Sequence, residues 1–204
     1  MKILSTSQVA RLEKIYENLG EAYDGVAQKL NFSCEGCPDN CCDSYFQHHT
    51  YLEWVYLLQG FSELTEDKQA ELRCRCDEYE KACESSIAQE KRPQVMCPLC
   101  ENGLCILYKH RLLVCRTHGV PAVMRFPNGQ VRHFMGCFRC QEIVESRFAK
   151  NEHAPHVERN PHLAKIIELE NEVCNNKRAE LPKVKMTIAQ MILAGPPQID
   201  EDNE

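Results

Sequence analysis

Three Cys-x-x-Cys pairs, at Cys34 and Cys37, Cys97 and Cys100, and Cys137 and Cys140, constrain this chain more than any other feature. A turn of that spacing lets two sulfurs converge on one ion, at about 2.3 Å for zinc. All three pairs lie outside apolar helix stripes and are flanked by Gly or Pro. Together the loops hold ten of the 14 cysteines: Cys34, Cys37, Cys41 and Cys42 in SCEGCPDNCC, then Cys97, Cys100, Cys105 and Cys115 in CPLCENGLCILYKHRLLVC, and Cys137 and Cys140 in GCFRC. Adjacent side chains strain a single tetrahedral centre, so Cys41 and Cys42 are expected to face two metal positions, or one metal and the core. The other four need no metal. Cys76 and Cys83 fall on the apolar stripe of a helix and read as core residues. Cys74 and Cys174 have no local partner at chelating spacing.

The N-terminal MKILSTSQVARLEKIYENLG lacks the continuous apolar core of a signal peptide, and no apolar run approaches the roughly 20 residues of a membrane span. A reducing, cytoplasmic setting without membrane association is therefore expected, where clustered thiols favour metal over disulfides. The net charge of −6 and the absence of a Lys/Arg stripe argue against a nucleic-acid partner.

Hydrophobic periodicity predicts an amphipathic helix over 7–30, from Val9, Leu12, Tyr16, Leu19, Tyr23, Val26 and Leu30. A short buried helix should start at the N-cap Thr50 with Glu53 as its capping-box partner, and end at Gly60. A longer helix is expected over 65–88, with a stripe of Leu72, Cys76, Tyr79, Cys83 and Ile87. Residues 91–136 are broken by Gly and Pro, so short strands are expected at 104–108 and 112–116, and a hairpin from AVMRF and QVRHF across Pro127-Asn128-Gly129. Helices should return at 138–150, 161–176 and 187–194, the last capped by Thr187. The fold class is thus mainly α, a single compact domain with an irregular cysteine-rich centre and a small β-hairpin. Its expected organisation is an N-terminal helix (1–32), a metal-binding domain (33–150), C-terminal helices packing on it (151–194) and a disordered acidic tail (195–204).

The pairing of CxxCxxxCC with a downstream CPLCENGLCILYKHRLLVCR segment and a later GC resembles the YkgJ-type cysteine cluster family, over residues 30–140. That family is described as a zinc- or iron-chelating domain with about eight characteristic cysteines. The resemblance places them at Cys34, Cys37, Cys41, Cys42, Cys97, Cys105, Cys115 and Cys137, with Cys140 the alternative to Cys137. Cys100 stands where the family more often has a hydrophobic residue, and Leu112 where it often has Pro. The implied cofactor is zinc or iron, as mononuclear or dinuclear ions or an iron–sulfur cluster, and the abundance of cysteine ligands without a nucleotide loop, catalytic triad or paired-acid motif favours a non-enzymatic role. Metal ions are the expected partners, and no protein partner is indicated. Similar clusters occur in flagellin lysine methylases, so an iron- or iron–sulfur-dependent enzyme is the competing expectation.

Eight thiolates holding two divalent ions leave a centre about four charges negative, which needs cations or N–H donors nearby. Arg111, Arg116 and Arg139 are placed by the sequence to supply them, Arg111 or Arg116 by pointing at the metal centre or at a neighbouring carboxylate. His118 is a candidate ligand or donor to a ligand, whereas His48 and His49 read as solvent-facing or cap residues.

Overall fold

The computed structural model describes residues 3–35, 41–148 and 154–199. It is mainly helical. The order is α1 (Thr6–Leu30), α2 (Tyr51–Ser62), α3 (Glu66–Ala88), the strand pair β1 (Cys100–Glu101) and β2 (Leu104–Cys105), then α4 (Leu113–Thr117). The chain continues through β3 (Ala122–Arg125), β4 (Val131–Phe134), α5 (Phe138–Arg147), β5 (Val157–Glu158), α6 (Asn160–Val173) and α7 (Ile188–Ala194). Two compact units emerge. One comprises Met1–Val9, Cys42–Leu112 and Glu168–Glu204, and the other Ala10–Cys41 and Leu113–Ile167. Residues 33–150 contribute to both.

The first unit is built around α2, of whose twelve residues ten are buried. Such an all-round apolar helix has to sit inside its unit. Thr50 caps it, accepting from the Glu53 N–H at 3.2 Å while its own hydroxyl donates to the Glu53 carboxylate at 2.8 Å. Polar groups that α2 carries inward find partners: the Trp54 indole donates to the Met191 carbonyl, and the Tyr56 hydroxyl to that of Lys109. The Tyr51 N–H donates to Glu170, which also accepts from Arg178. Helix α3 buries Leu72, Cys76, Tyr79 and Cys83 and packs on α7. Thr187 and Gln190 form a capping box at the start of α7, and Glu80 accepts from both at 2.6 and 2.7 Å.

In the second unit α1 turns Leu12, Ile15, Tyr16, Leu19, Val26 and Leu30 inward. It ends where Asn31 takes a φ of 50° and the Phe32 N–H reaches back to the Ala27 carbonyl, a Schellman-type closure of the last orphan carbonyls. The sheet order is β4-β3-β5, antiparallel between β3 and β4 with Ala122 opposite Phe134, and parallel between β3 and β5 with Ala122 opposite Val157.

Several expectations change. Residues 112–116 form no strand. Leu113–Thr117 is one helical turn, in which Leu113 and Thr117 are buried and the Thr117 hydroxyl donates to the Leu113 carbonyl. Of 104–108 only Leu104–Cys105 is extended, and Tyr108–His110 is a tight 3-10 turn. Ile87 ends the α3 stripe in solvent, 51% exposed. The two-residue β5 carries too little pattern to be read in advance. The tail is not wholly loose, since Pro197 and Ile199 are buried; residues 200–204 lie outside the described residues.

His48 is also not a surface residue. It is 1% exposed, its backbone bridges to Met186, and neither ring nitrogen has a hydrogen-bond partner among the described residues. Burial pushes its pKa down to about 4, against an opposing pull from Glu53. The folded value lies below the unfolded one of about 6.5. Folding therefore loses stability as pH falls from 6.5 towards 4, by on the order of 3 kcal/mol. Urea midpoints at pH 7 and pH 4.5 should fall further for the wild type than for His48→Leu; equal falls would show that His48 does not carry the effect.

Candidate metal centre

No two described cysteines are joined by a disulfide. The loop cysteines divide between the two units. Cys42, Cys97, Cys100 and Cys105 fall in the first, and Cys34, Cys41, Cys115, Cys137 and Cys140 in the second. The boundary passes between the adjacent Cys41 and Cys42, both in the 3-10 turn Cys41–Asp43. Cys37 lies outside the described residues.

In the first unit the Cys-Pro-Leu-Cys turn leads directly into the β1–β2 hairpin. The Cys100 N–H closes the turn on the Cys97 carbonyl at 2.9 Å, and the hairpin sets Cys100 opposite Cys105. Asn102 and Gly103, at φ 50° and 82°, make the two-residue bend, a conformation that suits Asn-Gly. The Cys97 N–H donates to the Cys42 carbonyl at 2.8 Å, joining the two cysteine loops. Burial pushes the Cys97 thiol up to about 12, while the Leu99 N–H hydrogen bond works against it and the neighbouring Cys105 and Cys100 add to it. A backbone N–H on sulfur in a Cys-x-x-Cys turn is the kind of donor a metal-bound thiolate needs. Arg75 of α3 fixes the hairpin by donating to the Cys100 carbonyl at 2.8 Å and to Glu101 at 2.6 Å. Cys76 is fully buried, its thiol pushed up to about 12 by burial and by Cys97. Cys83 and Cys174 are buried and Cys74 is exposed.

In the second unit Tyr23 on α1 sets its hydroxyl 3.9 Å from the Cys34 sulfur. The same hydroxyl lies against the Gly119 backbone so closely that a Cβ at 119 would be 1.9 Å from it. The Gly119 carbonyl in turn accepts from the Cys137 N–H at 3.1 Å. Gly136, at φ 81°, leaves 2.7 Å between that carbonyl and the place of its own missing Cβ. Cys137 caps α5, and Cys140 is buried in the first turn of that helix. Burial pushes the Cys140 thiol up to about 12, with Cys137 and Cys34 adding to the shift. Burial likewise holds the Tyr23 phenol far above its ordinary value, reinforced by Cys34, Cys137 and Cys140.

Cys115 is half-buried on α4, and His118 is half-buried just after that helix. Arg116 lies over the Tyr16 ring at 4.2 Å and Arg111 over the Tyr108 ring at 3.7 Å. Arg139, between Cys137 and Cys140 in sequence, has a buried Nη1 with no hydrogen-bond partner among the described residues. Among the described residues no three His, Cys, Asp or Glu side chains already converge closely enough to hold a metal ion. The donor set nevertheless suits a soft cation, being made of sulfurs with N–H and O–H donors beside them.

Tyr23, Arg75 and Gly119 were not foreseen as parts of these clusters. Tyr23 fits the apolar stripe of α1, and its hydroxyl gives no separate signal. Comparisons with protein-family models, with curated proteins and with solved structures give no match. Gly119→Ala should force Tyr23 away from Cys34 and cost about 1–3 kcal/mol by overpacking. Thermal denaturation checks this, and an unchanged melting temperature would mean that the approach is not tight.

Proposed function

We propose that the chain is a metal-binding cysteine-cluster protein. It chelates zinc or iron, as separate ions or an iron–sulfur cluster, through about eight thiolates: Cys34, Cys37, Cys41, Cys42, Cys97, Cys105, Cys115 and Cys137. The observation that carries this reading is the gathering of thiols from distant segments beside hydrogen-bond donors, Cys97 with Cys100 and Cys105 next to the Leu99 N–H, and Cys34 with Cys137 and Cys140 next to Tyr23. The motif resemblance to the YkgJ-type cluster points the same way. Bound metal would supply a fixed positive centre to loops that contain little regular secondary structure of their own. No described helix is long and apolar enough to cross a membrane.

Loop-built thiolate sites gain much of their folding free energy from the metal. Removing the metal with a chelator under reducing conditions should lower the melting temperature and loosen the segment around 97–115, as followed by circular dichroism and amide exchange. Restoring zinc or iron should reverse both changes. An unchanged melting curve after verified metal loss would remove the structural role.

A further inference from the structure

The thiols around Tyr23 form a site of their own. Cys34 follows α1, Gly119 follows α4, and Cys137 and Cys140 open α5, yet a chain of direct contacts connects them. The Cys34 sulfur faces the Tyr23 hydroxyl at 3.9 Å, that hydroxyl rests on Gly119, and the Gly119 carbonyl receives the Cys137 N–H. All these residues belong to one unit. Neither Gly119 nor Gly136 could carry a side chain without displacing a neighbour in this arrangement.

We propose that Cys34, Cys137 and Cys140 together bind one soft divalent cation of the zinc class, with the Tyr23 hydroxyl donating a hydrogen bond to the Cys34 sulfur. The proposal rests on the metal-binding reading and sharpens it. Both members of the Cys137/Cys140 pair become ligands, and Tyr23 gains a role.

Three features fit this assignment. Cys137 at the N-cap and Cys140 three residues later share the first turn of α5, so both sulfurs belong to the same end of one helix. Three thiolates on a divalent ion carry excess negative charge, and a neutral phenol O–H at one sulfur spreads it without competing for the metal. Arg139 brings a cation into the same helical turn, with a buried Nη1 that has no hydrogen-bond partner among the described residues. The three sulfurs do not converge to coordination distance without the ion; binding would have to draw them together, as loop-built sites assemble on binding. Soft thiolate donors select zinc-like cations over magnesium or calcium.

The test uses the full chain, reduced and metal-free, with Co²⁺ as a coloured probe followed by displacement with Zn²⁺. Cys34→Ser, Cys137→Ser and Cys140→Ser should each remove one equivalent of cobalt from the thiolate charge-transfer titration, and Cys74→Ser should remove none. Tyr23→Phe should keep the stoichiometry and weaken that equivalent about 10-fold. In the unsubstituted protein, zinc should slow alkylation of Cys34, Cys137 and Cys140 about 10-fold, mapped by mass spectrometry. This readout does not depend on whether a variant folds. Metal binding that protects Cys34 and Cys137 but leaves Cys140 alkylated as fast as in the metal-free protein would overturn this assignment and leave the general metal-binding reading standing. Failure to bind Co²⁺, Zn²⁺ or iron supplied with sulfide under anaerobic conditions would overturn both.

Discussion

The close approach of the Tyr23 hydroxyl to the Gly119 backbone is the contact on which the thiol cluster of its unit depends. It requires a residue without a side chain at 119 and an aromatic side chain at 23 long enough to reach it. Beside it, the Cys34 sulfur faces the phenol and the Cys137 N–H donates to the Gly119 carbonyl. The first unit achieves a similar end by a different device. There a two-residue bend sets Cys100 opposite Cys105, and Arg75 fixes the hairpin from α3. In both units, strongly packed helices position loops that have little core of their own.

Much of the helical framework could be read directly. The stripe of α1 and the caps Thr50 and Thr187 are local signals, and each of these helices begins within a residue of where those signals place it. The hairpin of β3 and β4 was equally legible, because alternation on both sides of an Asn-Gly turn is a short-range pattern. Residues 112–116 misled because five apolar and basic residues fit a strand or a helical turn, and only tertiary burial of Leu113 and Thr117 decides between them. His48 misled for a related reason. Its neighbours in sequence are polar, and its burial comes from a bridge to Met186, far along the chain.

The cysteines were legible as a chemical class and not as a geometry. Spacing alone separates loop thiols from the core thiols Cys76 and Cys83, both of which are buried. Spacing could not show that a tyrosine from an amphipathic helix would serve a sulfur, because a hydroxyl on an apolar stripe has no periodic signature.

The most direct measurement is the metal and sulfide content of protein purified anaerobically without added chelator, taken together with its visible spectrum. The account predicts at least one tightly held zinc or iron equivalent per chain. Zinc would leave the protein colourless, whereas an iron–sulfur cluster would make it brown with matching acid-labile sulfide. Protein that is folded, free of both metals and fully reactive at its loop cysteines would contradict it.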